Sequence, residues 1–262
     1  MFFPDNYGRA SGLYINPNYA GFVCLIGYCG SLGLQNHYVK RTGQFLFSFL
    51  GLLTFSRTFI LIWVILNLIH ASVNLKNIKG LVIGVVAIIG ILSFAKTFNL
   101  NGLRFSQFQD VLDSKSKIAD LNQDSRTDTW AKYYDKILDS PISGNGFGAL
   151  RGIDQGEGVH NSYLLILGEA GIVPFMVFTI YFIFMIFKSW KFLKTKIHLL
   201  FANIAIAMFL LTSHNFFNNY IILLSCIWAY NKSYLQSDID NEEIEVKVEV
   251  LYDGVLPKTF SR

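Results

Sequence analysis

The stretch SRTDTWAKYYDKILDSPISGNGFGALRGIDQGEGVHNSYLLILGEAGI, residues 125–172, decides how the chain is organised. It joins an amphipathic segment, a glycine-rich turn and a lone histidine, and it leads directly into a long hydrophobic run. On both sides of it the apolar residues come in blocks of roughly 15–25, which is the length that crosses a bilayer. The stretch is therefore predicted to be the polar part of a membrane protein.

Hydrophobic residues make up 52% of the 262-residue chain and charged residues 15%, and their distribution in blocks predicts an all-α integral membrane protein. We expect about seven transmembrane helices with one large extracytoplasmic loop. The chain divides into residues 1–95 with four spans, a loop at 96–161 with an amphipathic helix, residues 162–230 with three spans, and a cytoplasmic tail at 231–262. The predicted spans are 19–34, 43–55, 59–73, 78–95, 162–187, 197–213 and 216–230.

The basic residues of the short connections predict the orientation, because cytoplasmic loops are enriched in Lys and Arg. All of these residues fall on alternate connections, and hence on one side of the membrane. They are Lys40, Arg41, Lys76, Lys79, Lys188, Lys191, Lys194 and Lys196. The loop 96–161 and Arg57 are then expected to face away from the cytoplasm. An outward amino terminus without a signal sequence suggests that further spans precede Met1.

Two arginines are candidates for binding an anion. Arg57 is flanked by apolar runs, and an arginine so placed marks either a function or a helix end that snorkels to the membrane surface. Arg126 opens a predicted amphipathic helix that Ser125 or Asp124 caps and Pro141 stops. There it works against the helix dipole, as a phosphate ligand would, although a salt bridge to a neighbouring aspartate is the simpler account.

Further candidates lie between the amphipathic helix and the fifth span. Gly144 and Gly146 alternate with other residues, which allows backbone N–H groups to approach a phosphate, but a plain turn or a loop hinge fits as well. His160 and Asn161 stand at the outward end of the span, where a histidine can accept a proton from a hydroxyl or serve a structural role. Glu169, an acidic residue inside the same span, is expected to pair with an arginine or line a polar cavity.

No cofactor, metal ion or nucleic acid is expected, because no cluster with metal-ligand spacing is present and the cysteines all lie in apolar runs. The cysteines are Cys24, Cys29 and Cys226.

Five motifs in this order resemble the O-antigen ligase and O-antigen polymerase superfamily over residues 9–190. They are RASGLYINPN (9–18), LTFSRT (53–58), SRTDTW (125–130), PISGNGFG (141–148) and HNSYLLILGEAG (160–171). The resemblance implies a glycosyltransferase of the bacterial inner membrane whose active site faces the periplasm. Its donor would be an undecaprenyl-pyrophosphate-linked glycan, and its acceptor lipid A–core in the ligases or another glycan in the polymerases. Arg57 and Arg126 would hold the pyrophosphate, and His160 would be the base. Members of the superfamily are usually longer, with additional amino-terminal spans.

Two other readings stay open from the sequence. A transporter or flippase of the same lipid-linked glycan would need polar residues along several spans and internal symmetry, which we do not find. A truncated membrane remnant without catalytic activity is the second alternative.

Overall fold

The structure is a computed structural model, which describes residues 10–14, 16–78, 80–82, 84, 86, 126–152 and 158–235. In this part of the chain the regular structure is helical. The helices are α1 (Pro17–Leu32), α2 (His37–Leu53), α3 (Arg57–Val73), α4 (Arg126–Asp139), α5 (Ser162–Ala170), α6 (Ile172–Trp190), α7 (Ile197–Leu210) and α8 (residues 220–235). A 3₁₀ turn at Leu75–Asn77 leads into further helical residues between 78 and 86. The all-α class is confirmed.

Short polar side chains set where the first three helices begin. The Asn16 side chain accepts a hydrogen bond from the Asn18 N–H, and Pro17 opens α1. Asn36 accepts from the N–H groups of the first turn of α2, and the Ser56 hydroxyl accepts from the Phe59 N–H to start α3. Each of these side chains takes up backbone donors that have no partner inside the helix.

The cap at Asn36 corrects one expectation. The basic residues Lys40 and Arg41 were expected in a connection before a short second span, but they lie in the first turns of α2. The helix α2 thus begins earlier than expected. It has 17 residues and a length of about 25 Å at 1.5 Å per residue. A search for runs of apolar residues misses the start of this helix, because the first two turns of α2 are polar.

The predicted fifth span is also wrong as one continuous helix. It is divided at Gly171, whose φ of 86° lies in the region that favours glycine. The following residue, Ile172, donates its N–H to the carbonyl of Pro141, so the loop before α5 is bonded to the break. Glu169 therefore belongs to the short helix α5 and does not lie within a continuous span.

The core of the bundle is built around α7. This helix is apolar on all sides, and ten of its fourteen residues are buried. It packs against α1, α3 and α6, while Asn203 bonds to Ser233 of α8. Cys24, Cys29 and Cys226 are buried, unpaired thiols of this core.

Within the described residues one helix, α6, is long and apolar enough to cross a membrane, and α3 and α7 are shorter apolar helices. Much of the surface of α6 is apolar and exposed, including Val177, Phe184 and Phe187. Such a surface is typical of contact with lipid or another protein. The seven expected spans are not confirmed. Most of the fourth, predicted at 78–95, lies outside the described residues, as do Lys79 and the tail from 236.

Three basic residues lie near one another at one end of the bundle. Lys40, Lys196 and Lys232 all act electrostatically on His198, and we call this end the basic end. Gly33 at the end of α1 lies against His198 as well. Lys188 at the end of α6 contacts the ring of Tyr234 near the end of α8, with its Nζ 3.1 Å from the ring centroid.

The close approach of α2 and α3 generates a stability prediction. A Cβ added at Gly51 would overlap the ring of Phe59, which is 1% exposed, whereas a Cβ at Gly30 would meet no atom within 4 Å. Gly51→Ala is expected to destabilise the fold by about 1–3 kcal/mol through overpacking. Gly30→Ala is the matched control and should be neutral or stabilise by up to about 1 kcal/mol. Thermal unfolding in detergent measures both, and equal midpoints for the two variants would contradict the predicted packing.

Candidate functional site

Four segments of the chain meet at the end of the bundle opposite the basic end. They are the starts of α1, α3 and α5 and the loop after α7, and their side chains are linked by hydrogen bonds. We call this end the polar rim. Its linking residues are Asn18, Tyr19, Ser56, Thr58, Ser162, Thr212, Ser213 and Asn215.

Two of these hydrogen bonds hold the start of α3. The Ser56 hydroxyl donates to Oδ1 of Asn18 at 2.9 Å, and the Thr58 hydroxyl donates to that of Thr212 at 3.2 Å. Ser56 and Thr58 are both buried, while Arg57 between them is exposed at the rim. The backbone of Arg57 is thus held at the helix start, and the residue is exposed.

Two other bonds hold the start of α5. The Ser162 hydroxyl donates to the carbonyl of Ser213 at 2.5 Å, and both residues are buried. Nδ2 of Asn215 donates to the Tyr19 hydroxyl at 2.8 Å. The loop after α7 is therefore tied both to α5 and to α1.

His160 and Asn161 stand directly before α5, and they have different roles. Asn161 is buried, and its side chain caps the helix by accepting from the N–H groups of Tyr163 and Leu164. His160 is exposed and has a φ of 47°, an uncommon conformation for a residue with a Cβ. A residue held in such a conformation at a protein surface often serves a function.

His160 contacts a second histidine from the loop after α7. Nδ1 of His214 lies 3.1 Å from Nδ1 of His160, and the ring centroids are 4.6 Å apart. Burial, followed by the positive charges of His160 and Arg151, lowers the pKa of His214 to about 4. His214 is therefore a neutral imidazole at physiological pH.

The expected amphipathic helix is confirmed as α4. Tyr133 and Ile137 are buried and form a second apolar cluster with Leu150, Val159 and Leu165, so that α4 is seated on α5. Tyr134 and Leu138 point to the exposed side. Arg126 is the first residue of α4, and the capping residues proposed for it lie outside the described part of the chain.

The glycine turn after α4 is fixed against the end of α5. The Gly144 N–H donates to the Ser140 carbonyl, and the Gly146 N–H donates to the Glu169 carbonyl. Asn145 between them donates its backbone N–H and Nδ2 to the carbonyl of Gly168. These N–H groups have acceptors within the protein, which supports the turn or hinge interpretation of Gly144 and Gly146.

Glu169 pairs with an arginine, as the sequence led us to expect. Its Oε1 lies 3.2 Å from Nε of Arg151 and also accepts from the Gly148 N–H at 3.0 Å and the Leu150 N–H at 3.4 Å. The side chains of Arg151 and Glu169 are 15% and 8% exposed. The guanidinium also lies over the ring of Phe147, at 4.2 Å from its centroid. The carboxylate of Glu169 thus holds the loop that contains Gly148, Leu150 and Arg151 against α5.

Sequence reasoning missed Arg151 and His214. Both depend on contacts between distant parts of the chain, and the two histidines are 54 residues apart. A weak signal was present in each case. Glu169 needed a basic partner, and His214 follows an apolar run within the polar sequence Thr-Ser-His-Asn.

Neutralising Glu169 should loosen the loop. In Glu169→Gln the amide keeps the size of the side chain but loses the charge that Arg151 faces. We expect a loss of about 1–3 kcal/mol in the local opening free energy, measured by hydrogen exchange of the amides at 146–150. Asp139→Asn, an exposed site at the end of α4, is the control. Equal exchange rates in the two variants would show that the ion pair does not hold the loop.

Acid should destabilise the fold through His214. An unfolded histidine titrates near pH 6.5, so that between pH 6.5 and about 4 the unfolded chain binds the proton that folded His214 does not. The melting temperature in detergent is therefore expected to fall over this range and to fall less in His214→Gln. His37→Gln, at an exposed histidine, is the control. Parallel curves for all three proteins would contradict the neutral state assigned to His214.

The chain was compared with known proteins. A family model described as O-antigen ligase matches residues 43–179, which contain Arg57, Arg126 and His160. No curated protein and no solved structure matches. Because the matched segment covers more than half of the chain, the protein belongs to the O-antigen ligase family, a family of bacterial inner-membrane proteins.

Proposed function

We propose that the protein is a membrane glycosyltransferase that transfers an undecaprenyl-pyrophosphate-linked glycan to an acceptor hydroxyl at the outer face of the inner membrane. The observation that carries the proposal is the common position of Arg57 and His160. Hydrogen bonds from Thr58 to Thr212 and from Ser162 to Ser213 tie their two helices to successive residues of one loop. A cationic side chain and a histidine therefore stand at the same end of the bundle.

The polar rim is suited to an anionic leaving group. The helices α1, α3 and α5 all begin there, and a helix start carries a partial positive charge. Arg57 adds a full charge and a planar fork that matches phosphate oxygens. As the bond to the sugar breaks, negative charge grows on the pyrophosphate, so that these groups stabilise the transition state more than the bound donor.

Arg126 is proposed as the second pyrophosphate ligand. The helices α4 and α5 end side by side, because Ile137 lies against Gly168 and Nδ2 of Asn145 bonds to the carbonyls of both Lys136 and Gly168. We expect their starts to point the same way, which would direct the amino end of α4 towards the rim. The family model includes this residue.

His160 is proposed as the base. Its side chain is exposed at the rim, and an imidazole there can take the proton of a sugar hydroxyl as the oxygen attacks the anomeric carbon. The acceptor can be lipid A–core, as in a ligase, or a second lipid-linked glycan, as in a polymerase. Neither is favoured by a described residue.

The orientation supports this assignment. The polar rim lies opposite the basic end, and basic residues are enriched on the cytoplasmic side. The rim would then face the periplasm, where lipid-linked glycans are available as donors. Ile172–Trp190 supplies a helix of membrane-crossing length beside the site.

Reconstitution in proteoliposomes with a lipid-linked glycan and either acceptor tests the function. His160→Ala is expected to lower kcat by roughly 10²–10⁴-fold, the usual share of a general base. Arg57→Ala and Arg126→Ala should each lower kcat/KM by roughly 10²-fold or more, and Arg57→Lys should lose less because it retains the charge. The assay measures the new glycosidic bond by mass spectrometry.

The controls use residues of the same types at other exposed positions, with Arg41→Ala for the arginines and His37→Ala for the histidine. Both should keep full activity. Unchanged product in the rim variants would refute the assigned site. Movement of the glycan across the bilayer without a new bond would instead support the transporter reading.

A further inference from the structure

The contact between His160 and His214 restricts where their protons can lie. Their Nδ1 atoms are 3.1 Å apart, which is a hydrogen-bond distance, and a bond between two nitrogens needs one donor and one acceptor. The facing nitrogens therefore share one proton. The Nε2 atoms lie on the other side of each ring, so the state of this contact determines whether Nε2 of His160 carries a proton.

The backbone next to each of the two histidines is held in place by hydrogen bonds of the neighbouring residues. Ser213, which precedes His214, accepts the hydroxyl of Ser162, and Asn215, which follows it, donates to Tyr19. On the other side, the Val159 N–H donates to the Leu150 carbonyl, and Asn161 caps α5. These bonds hold His160 at a φ of 47° and aim its ring at His214. Strain of this kind persists only where the surroundings determine it.

We infer that His214 is a positioning residue, which accepts a hydrogen bond from the Nδ1–H of His160 and thereby keeps Nε2 of His160 unprotonated, so that it can act as the base. The inference rests on the proposed function and deepens it. His214 itself does not touch the reacting atoms in this scheme. It acts through His160, much as a carboxylate orients the histidine of a catalytic triad.

The direction of the hydrogen bond follows from the proton balance. In one arrangement His160 donates from Nδ1, and its Nε2 is unprotonated. In the other His214 donates, so His160 carries its proton on Nε2 and cannot accept another. After His160 has accepted a proton, both of its ring nitrogens carry protons and can only donate. Only the first arrangement therefore keeps the hydrogen bond between His160 and His214 through this step.

The surroundings of His214 are compatible with this direction. Burial, followed by the electrostatic effects of His160 and Arg151, lowers the pKa of His214, so that it is neutral. Arg151 is in turn bonded to Glu169, so the carboxylate is already paired. A neutral His214 always has one bare nitrogen available as an acceptor.

The step then balances as follows. The acceptor oxygen forms a bond to the anomeric carbon, while the bond from that carbon to the pyrophosphate oxygen breaks and its electron pair leaves with the pyrophosphate. The hydroxyl proton moves to Nε2 of His160. The resulting imidazolium keeps its Nδ1 proton bonded to His214, and it later releases the Nε2 proton to water.

Histidine tautomers can be measured directly by ¹⁵N NMR of the full chain labelled at its 5 histidines, in detergent micelles. The wild type is expected to carry its proton on Nδ1 of His160 at neutral pH. His214→Leu should shift His160 to a mixture of tautomers, whereas His214→Asn should preserve the Nδ1 form, because Oδ1 of asparagine accepts near the position of Nδ1. His37→Leu is the matched control and should change nothing.

The kinetic readout uses the same variants. His214→Leu is expected to lower kcat by roughly 10–100-fold, part of the effect of the general base, with the KM of the donor unchanged. His214→Asn should recover most of the rate. A purely structural role would instead lower the amount of folded protein in both variants and leave kcat per folded molecule unchanged.

Two results would overturn the inference: a wild-type His160 protonated on Nε2, or a tautomer that His214→Leu does not alter. The failure of the proposed function would be seen separately. A wild type that transfers no glycan to either acceptor refutes the function, while the NMR result still decides whether His214 sets the proton position of His160.

Discussion

The hydrogen bond from the Ser162 hydroxyl to the carbonyl of Ser213 is the interaction on which the site depends. Both residues are buried, and a buried polar group without a partner costs several kcal/mol in an apolar medium. The bond therefore holds the start of α5 to the end of α7. His160 lies two residues before one partner and His214 one residue after the other, so their contact follows from this single attachment.

The same constraint acts on polar side chains along the apolar helices. Ser189 and Asn203 bond to the carbonyls of the preceding turn, and Asn203 also bonds to Ser233 of α8. At the rim, polar side chains form hydrogen bonds between different helices. Water and the backbone groups of the helix ends are also available there as hydrogen-bond partners. A functional site is more easily built in this layer, where a charged residue such as Arg57 can remain hydrated.

The sequence predicted several of the helices, but it predicted neither the break at Gly171 nor the contacts between distant segments. Helix starts at Arg57 and Ser162 could be predicted, because Ser56 and Asn161 are strong caps, and α4 could be predicted from its helical period. The break at Gly171 could not, since it depends on the loop carbonyl that Ile172 meets. The Arg151–Glu169 pair, separated by 18 residues, depends on the fold of the glycine turn in the same way.

A neutral partner for His160 suits the chemistry better than a carboxylate would. A carboxylate orients an imidazole strongly and stabilises its charged form, but near a departing pyrophosphate it would add a negative charge that repels the leaving group. In the proposed arrangement His214 supplies an acceptor without that charge, because burial, followed by the electrostatic effects of His160 and Arg151, lowers its pKa. The carboxylate of Glu169, which α5 does carry, is neutralised by Arg151 and by two backbone N–H groups. In the proposed mechanism the rim can therefore orient the base and still present a positive field to the anionic donor.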